Sequence, residues 1–443
     1  MDLVGITANQ GRTCFDGACR IKYKSRHLMR MERVVITGMG TVNALAKNTA
    51  AFARALQEGA CGIGPLTVFD TSGYRTCNGA EVKHFNPREM IPPFFSLRRM
   101  SRADNLALAA TIEALKDAGF FPLPDDLRET TGVVIGAGAG GKLEGENFYR
   151  DYLGRQGKHA RFSQLSSLYG AASADHITSH LGLMGPKTSF MTACSSGATA
   201  VGFAGDLIRR RVAPIMIAGG VEPLCRTTYA SFNVLQAVDP GCCRPFDRNR
   251  QGLSLGEASA IMILESLTRA RSRGARIYGE LLGYGVTGDA YHMTTPDVEA
   301  SGAVRSMTTA MADAGIPIEA VDYINAHGTA TPANDLMETK AIKAVFGKRS
   351  YRIPVSSTKS MTGHTLGASG ALEAIVSILA IHHGFIPPTI HLQEPDPACD
   401  LDYVPSVMRK ASLNIVLSNS FAFGGNNTSV VFGRYTDKGI VNE

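Results

Sequence analysis

The sequence predicts a layered α/β protein that arose by duplication of one α/β unit. From Met31 onward, β-branched strands alternate with glycine turns and helices, as in α/β layers. The same order of elements recurs after a join near residue 280, which indicates an internal repeat. Two helices at equivalent places in the repeat are rich in Gly, Ala and Ser. Because glycine is unfavourable inside a helix, we expect these two helices to pack closely at the centre of the fold.

The elements of the two halves follow in order along the chain. In the first half we expect strands at 34–37, 132–135 and 214–218 and helices at 105–118 and 195–208. Glycines at positions 38, 119, 136 and 219 are expected to end the first strand, the first helix and the two later strands. In the second half we expect helices at 303–314 and 367–380 and strands at 321–325 and 414–418. The predicted organisation is an extension at 1–30, two α/β halves at 31–280 and 281–433, and a tail at 434–443.

The first thirty residues are expected to lie outside the fold. They carry six Lys and Arg residues but no apolar core, which excludes a secretory signal. Asp2 and Asp16 argue against an organellar transit peptide. Because Met31 directly precedes a strong strand, we interpret residues 1–30 as a disordered extension or the product of an upstream start codon.

Composition excludes several classes of protein. The net charge of +6 comes without a dense Lys/Arg run among aromatics, so we expect no nucleic-acid binding, whereas a weakly basic surface favours an acidic protein partner. No apolar run approaches the ~20 residues of a membrane span. Nine scattered cysteines without ligand spacing predict neither a disulfide framework nor a metal site. This cysteine usage favours a reducing, cytoplasmic setting.

Cys194 is the candidate nucleophile. It follows a strand-like approach and directly precedes the first small-residue helix, in Met191-Thr-Ala-Cys-Ser-Ser-Gly197. A thiol at the positive end of a helix dipole is favoured as thiolate. A buried core cysteine is the alternative that this local context leaves open.

Three further residues complete a constellation with the thiol and His327, which ends a strand that enters a glycine turn. Lys359 and His364 directly precede the second small-residue helix, and Glu373 lies on that helix. His364 thus mirrors Cys194 in the repeat.

At these residues the chain resembles the β-ketoacyl synthases of the thiolase-like fold. The resemblance rests on TACSSG with Cys194, NAHGTATP with His327 and KSMTGH with His364, and on RVVITGMG, AGGVE, RPFD, DAYHMT and NSFAFGGNN. It runs from Met31 to about Gly433 and is closest to the long-chain, type II elongating enzymes. It implies a layered αβαβα arrangement of the duplicated unit and a homodimer.

The resemblance also implies the roles of these residues. Cys194 would take an acyl group from acyl carrier protein, with the backbone N–H groups of Cys194 and Phe423 as oxyanion hole. His327 and His364 would donate hydrogen bonds to the malonyl thioester oxygen as carbon dioxide leaves. Lys359 would pair with Glu373, either to fix the local charge or as a structural salt bridge. The acyl groups arrive on the phosphopantetheine of the carrier protein, so no metal and no other cofactor is expected.

Further positions are assigned to substrate and carrier protein. Phe423 would be a gate beside the cysteine, with Gly424 and Gly425 allowing it to move. The other residues that the resemblance places at the substrate are Phe421, Phe232, Thr329, Thr331 and Ala139. Alanine at 139, where a bulkier aliphatic residue is common in the family, should admit a longer or stiffer chain. Arg98, Arg99 and Arg102 form a basic patch that could dock an acidic carrier protein.

Several positions depart from the family pattern. Gln251, Leu253, Ala258 and Ala260 replace an acidic residue, a phenylalanine and two glycines, and Asn334 and Ala422 replace two further glycines. These departures keep alternatives open beside a fatty-acid elongating synthase. One is a ketosynthase of a specialised type II polyketide, polyene or unusual-lipid pathway, and another is a non-catalytic chain-length partner. A degradative thiolase would need a second cysteine near the C-terminus, where this chain has Asn426-Asn427.

Overall fold

A ten-stranded mixed sheet organises the described part of the chain, residues 31–154 and 160–437 of the computed structural model. Its strands are β1 (Val34–Asn43), β2 (Thr131–Ala137), β3 (Lys187–Phe190), β4 (Ile215–Glu222), β5 (Ala258–Ser266), β6 (Gly279–Gly288), β7 (Tyr323–Asn325), β8 (Val355–Ser356), β9 (Ile415–Ala422) and β10 (Asn426–Gly433). Two small sheets pair Gly64–Pro65 with Asn78–Gly79 and Phe385–Ile386 with Arg409–Lys410.

The strand order repeats on either side of the β1–β6 contact. From β1 outward the order is β1-β5-β4-β2-β3, and from β6 outward it is β6-β10-β9-β7-β8. In both halves the two pairings nearest the contact are antiparallel and the two outer pairings are parallel. This is the arrangement that a duplicated unit produces. It supports a boundary near residue 280, although the exact division into domains stays a prediction.

Helices cover both faces of each half sheet. They are α1 (Thr49–Glu58), α2 (Arg102–Asp117), α3 (Asp125–Arg128), α4 (Lys142–Gly154), α5 (Ala172–Leu181), α6 (Ser196–Arg209), α7 (Arg226–Val234), α8 (Leu267–Ser272), α9 (Ser301–Ala314), α10 (Pro332–Phe346), α11 (Lys359–Thr362) and α12 (Ser369–His383). Alternate strand residues face different layers, because side chains alternate across a strand. In β2, Val133 and Ile135 pack with α2, whereas Val134 packs with α6 and α12. On the other half, Leu417 of β9 packs with α9 and α10, which completes the predicted αβαβα layers.

The two small-residue helices, α6 and α12, lie at the centre as expected. A Cβ placed on Gly370 would come within 2.6 Å of the Cβ of Ala198, and one on Gly197 within 2.8 Å of the backbone N of Ala371. Small residues therefore permit this approach. The segment Leu366–His383, which includes α12, is long and apolar enough to cross a membrane by length and composition, which we had not expected from the sequence. Because 83% of it is buried inside the fold, it has the character of a core helix.

Glycine does not end β1, β2 or β4, and this corrects three predictions. β2 continues through Gly136 to Ala137. β1 continues through Gly38 and Gly40 to Asn43. A Cβ on Gly38 would lie 2.3 Å from the carbonyl oxygen of Ala114, and one on Gly40 would lie 2.0 Å from that of Ala110. These glycines therefore let α2 pack directly on the strand. β4 likewise runs through Gly219 to Glu222. A Cβ on Gly219 would lie 2.0 Å from the carbonyl oxygen of Ala260, so glycine is needed here for β4 to pack beside β5.

Candidate active site

Cys194 lies in a single 3-10 turn between the edge strand β3 and the central helix α6. Ala193, directly before it, has φ 52°, a left-handed conformation that is unfavourable for a residue with a side chain. The turn is held by Ser196, whose hydroxyl donates to the carbonyl of Ala193 at 2.7 Å and accepts from the N–H of Thr192 at 2.9 Å. The sulfur, in a side chain only 6% exposed, is thus fixed at the start of α6.

His364 lies against this sulfur. Its Nε2 is 3.0 Å from the Sγ of Cys194. Its Nδ1 accepts a hydrogen bond from the backbone N–H of Leu366 at 3.2 Å and lies 2.9 Å from the hydroxyl of Ser369. Because a neutral imidazole carries one proton, an accepting Nδ1 places that proton on Nε2. His364 therefore presents an N–H donor to the place where the substrate reacts.

His327 lies beside His364, with ring centroids 5.3 Å apart and planes at 84°. The loop that carries it is held by Glu338 of α10. This carboxylate accepts from the backbone N–H of His327 at 2.8 Å, from that of Gly328 at 2.7 Å and from the side chain of Asn419 at 3.2 Å. Burial raises the pKa of Glu338 to about 7, against the lowering effect of these hydrogen bonds.

Burial shifts Cys194 and both histidines toward their neutral forms. Burial raises the pKa of the Cys194 thiol to about 12, although the Lys359 ammonium and the backbone N–H of Phe423, which donates to the sulfur, both lower it. Burial therefore acts against the thiolate that a position at the helix N-terminus favours. Burial and the charge of Lys359 also hold the pKa of His364 well below 6.5. The pKa of His327 is likewise lowered by burial, by Lys359 and by His364, so both imidazoles are neutral.

Lys359 and Glu373 form an ion pair beneath the site. The ammonium donates to the carboxylate, and the two side chains are 1% and 2% exposed. Burial raises the pKa of Glu373 to about 7, while Lys359 acts to lower it. The charge of each partner is therefore compensated by the other inside the protein.

Breaking this pair is expected to destabilise the fold strongly. Glu373→Ala leaves a buried ammonium without its partner, and we expect a loss of about 3–5 kcal/mol in the free energy of unfolding. Urea denaturation measures this loss. The matched control is Glu299→Ala, which removes the partner of Lys340 in a surface pair with side chains 73% and 48% exposed, and should change the free energy by less than about 1 kcal/mol. Equal losses in the two variants would contradict this account.

A cavity of about 270 Å³ opens at the thiol. Its wall includes Cys194, His327, His364, Thr329, Thr331, Phe232, Phe421 and Phe423. The ring of Phe423 stacks on that of Phe232 with centroids 5.5 Å apart and planes at 20°. Gly424 and Gly425 follow it with φ 80° and 70°, conformations that glycine adopts without strain. Phe423 thus lies on the cavity wall beside the thiol, and its role as a gate stays a prediction.

Two predicted positions lie elsewhere than expected. Arg102 does not belong to an exposed basic patch, because its guanidinium binds both oxygens of Glu257 at 2.8 and 2.6 Å and its side chain is only 18% exposed. Arg98 and Arg99 are exposed. Ala139 is not on the cavity wall, and packs instead in an apolar cluster with Leu253 and Phe232, which do line the cavity.

The six residues that depart from the family pattern lie in two places, the cavity wall and strand β5. Gln251 and Leu253 lie on the wall of the cavity, and Gln251 accepts a hydrogen bond from Arg75 at 2.9 Å. Asn334 and Ala422 also line the cavity. Ala258 and Ala260 belong to β5, away from the thiol. Four of these six substitutions can therefore act on the substrate.

Sequence reasoning missed the residues that hold the site together. Glu222, at the end of β4, accepts from the N–H groups of Gly138, Ala139 and Gly367 at 2.8, 2.6 and 3.0 Å and so joins the loops after β2 and before α12. Glu338 likewise holds the backbone at His327, and Ser369 holds the ring of His364. The available signal was Glu222 itself, an acidic residue two positions after the pair Gly219-Gly220 at the end of a buried strand. The remaining partners become visible only when distant loops meet.

A cysteine between an imidazole N–H and a backbone N–H, at the mouth of a largely apolar cavity, is suited to hold an acyl group as a thioester. Fold and site together define an acyltransferase of the duplicated, layered α/β class.

Comparisons with known proteins identify the family. The N-terminal domain of the β-ketoacyl synthases matches residues 31–270, and the C-terminal domain matches residues 278–393. The 3-oxoacyl-[acyl-carrier-protein] synthase 2 of Synechocystis is 40% identical over 92% of this chain and 99% of its own length. The ishigamide ketosynthase/chain length factor shares 38% identity at a TM-score of 0.88, over 92% of this chain and all of that chain. One chain of the solved complex of a type II PKS acyl-carrier protein with its ketosynthase is 30% identical at a TM-score of 0.82. The match covers 92% of this chain and 100% of that one. The chain belongs to the β-ketoacyl synthase family.

Proposed function

We propose that this chain joins an acyl group held on Cys194 to a malonyl unit by decarboxylative condensation, giving a 3-oxoacyl-carrier protein and carbon dioxide. The observation that carries the proposal is the 3.0 Å contact between the Cys194 sulfur and Nε2 of His364 in a cavity that His327 also lines. One thiol and two neutral donors supply both half reactions. The test is a condensation assay that follows carbon dioxide and 3-oxoacyl product together, and release of one without the other would count against it.

In the first half reaction, the sulfur attacks the carbonyl carbon of an acyl thioester. The tetrahedral oxyanion forms beside the N–H groups of Phe423 and Cys194, which are suited to stabilise its charge. The carrier thiolate then leaves and takes the proton that Cys194 gives up, so that one thioester replaces another. Since burial raises the pKa of Cys194 to about 12, this proton must leave during the attack.

In the second half reaction, malonyl thioester enters beside the acyl-cysteine. Its carboxylate leaves as carbon dioxide, and the electron pair remains as an enolate whose oxygen accepts from His327 and His364. The enolate carbon attacks the acyl carbonyl, and the Cys194 sulfur leaves and regains a proton. A neutral imidazole can fill this role because it keeps one N–H, which donates a hydrogen bond to the enolate oxygen. Loss of carbon dioxide drives the reaction, so we propose no metal and no cofactor beyond the carrier's phosphopantetheine.

A ketosynthase of a specialised pathway is the second candidate. Gln251 and Leu253, two departures from the elongating pattern, line the cavity. The similarity to the ishigamide ketosynthase/chain length factor supports the same candidate. Cys194, His327 and His364 lie together, which favours a catalytic role over that of a non-catalytic partner. The two pathways differ in acyl substrate, so a panel of saturated and polyunsaturated acyl-carrier proteins distinguishes them.

Chain length should depend on Ala139. Because Ala139 belongs to the same apolar cluster as Phe232 and Leu253 of the cavity wall, we propose that the acyl chain extends into this cluster. Ala139→Ile would fill the space, and we expect the rate with the longest accepted acyl chain to fall at least about tenfold. The shortest acyl chain is the internal control and should react at an unchanged rate. An equal fall for all chains would show that the acyl group lies elsewhere.

We propose acyl carrier protein as the partner and the exposed Arg98 and Arg99 as its docking site. Reversing both charges, Arg98→Glu with Arg99→Glu, should raise KM for acyl-carrier protein about tenfold because the partner is acidic. KM for an acyl-pantetheine thioester, which lacks the carrier protein, should not change. Arg352→Glu, another exposed arginine, is the control. Equal KM values in all variants would exclude this surface.

We also propose a homodimer that works in the cytoplasm. β3 lies at one end of the sheet, and the exposed Met184 and Met191 lie on either side of it in the chain. A sheet-end strand whose outer edge is free, with apolar neighbours, is a surface on which a second copy can pair. Sedimentation equilibrium of the wild type and of Met191→Lys tests the interface.

A further inference from the structure

Three loops bring two thiols and an imidazole together outside the active site. Cys61 lies in the loop after α1, Cys242 in the loop after α7 and His391 in the loop after the short strand Phe385–Ile386. One ligand atom from each residue lies within 4.8 Å of the other two. The residues are separated by 181 and 149 positions (242 − 61 and 391 − 242), which is why their sequence spacing predicted no metal site. We call them the thiol–imidazole cluster.

We propose that the thiol–imidazole cluster binds a borderline-soft divalent cation, with Zn²⁺ as the best fit. Two cysteines and one histidine are a ligand set that zinc prefers in proteins. Zinc–sulfur and zinc–nitrogen bonds in a tetrahedron imply a sulfur–nitrogen separation of about 3.5 Å. The Sγ of Cys61 lies 3.5 Å from Nε2 of His391.

The surroundings agree with this chemistry. Cys61 is exposed and Cys242 half-buried, so a cation can enter from solvent and a water molecule can take the fourth position. The charges of Asp239 and Arg244 both act on Cys242 and His391. Two thiolates neutralise the dication, so the filled site leaves no uncompensated charge beside this pair.

The cluster would also support the active site. The residue next in sequence to each ligand donates a hydrogen bond to the short helix α11, which begins with Lys359. The N–H of Gly62 donates to the carbonyl of Met361 at 2.8 Å, the thiol of Cys243 to that of Lys359 at 3.2 Å, and the N–H of Ile390 to the hydroxyl of Ser360 at 3.0 Å. A cation would therefore join the three loops that surround this helix. Because it binds the folded state, added Zn²⁺ should raise the thermal midpoint in proportion to the logarithm of its concentration.

The test is Zn²⁺ binding to the full chain under reducing conditions, in competition with a chromogenic chelator. All variants carry Cys194→Ala, so that the active-site thiol cannot act as a ligand. We expect one Zn²⁺ per chain, and Cys61→Ser, Cys242→Ser and His391→Ala should each weaken binding at least about tenfold. Co²⁺ in place of Zn²⁺ should give the visible absorption of a tetrahedral thiolate complex. Cys77→Ser, an exposed thiol outside the cluster, and the double variant Cys14→Ser/Cys19→Ser are the controls and should bind as before.

Three results would overturn the proposal. One is the absence of stoichiometric Zn²⁺ binding by the chain with an intact cluster. Another is unchanged affinity in Cys61→Ser, the exposed position at which substitution disturbs folding least. The third is a Cys61–Cys242 disulfide in protein purified without reductant, seen as the loss of two hydrogens in the intact mass, combined with no Zn²⁺ binding after reduction.

Discussion

Cys194→Ala is expected to abolish condensation while sparing the decarboxylation of malonyl-carrier protein. Without the sulfur no acyl group can be held, and we expect the rate of 3-oxoacyl product formation to fall on the order of 10³-fold or more. The two histidines remain, so malonyl thioester can still lose carbon dioxide and give an acetyl product. Measuring both products from the same reaction separates the two half reactions.

The control for this variant is Cys399→Ala, which removes another buried thiol, in the core cluster beneath α10 and away from the cavity. It should condense at nearly the wild-type rate. If Cys194→Ala lost both activities with its fold intact, the decarboxylation site would depend on the sulfur and the assignment to the histidines would be wrong.

His364→Ala should have the converse effect. The variant loses an N–H donor to the enolate oxygen, and we expect decarboxylation to slow by about 10²–10³-fold because one donor to a developing oxyanion is removed. Acyl transfer to Cys194 should persist, since Phe423 still donates to the sulfur. His364→Gln, whose amide N–H can replace Nε2, should recover part of the rate. A loss of acyl transfer equal to the loss of decarboxylation would contradict this division of roles.

The pH dependence of decarboxylation follows from the same histidines. Burial, Lys359 and, for His327, the neighbouring His364 hold both pKa values well below 6.5. A base with a lowered pKa stays neutral until the pH falls to that lowered value. As the pH drops through 6.5 the imidazoles should therefore stay neutral, so the wild-type decarboxylation rate should show no step from their protonation. Any step near pH 7 should instead report protonation of Glu338 or Glu373, whose pKa values burial raises to about 7.

The reactive residues and the duplicated fold could be predicted because their signals are local. Cys194 and His364 each precede a small-residue helix, and His327 ends a strand. Their equivalent places in the repeat, together with the resemblance to the β-ketoacyl synthases, indicated that they would meet. The recurring order of strands and helices indicated the duplicated sheet for the same reason. These features require only neighbouring residues and an alternation that shows in the sequence.

Features that depend on distant contacts could not be predicted. Gly38 resembles a turn residue in sequence, and only the approach of α2 to β1 shows that it permits packing. Arg102 resembles its exposed neighbours until Glu257, 155 positions away, binds it. The charge state of Cys194 follows from its burial between the two halves of the fold. Partners far apart in sequence decide each of these outcomes.

The central claim is that Cys194 carries the acyl group that malonyl then extends. The most direct test is intact-protein mass spectrometry after incubation with a panel of acyl-carrier proteins, followed by addition of malonyl-carrier protein. The account predicts an adduct of the mass of one acyl group on Cys194, which malonyl-carrier protein discharges as the 3-oxoacyl product. An adduct that persists in Cys194→Ala, or one that malonyl-carrier protein releases as the free acid, would contradict it.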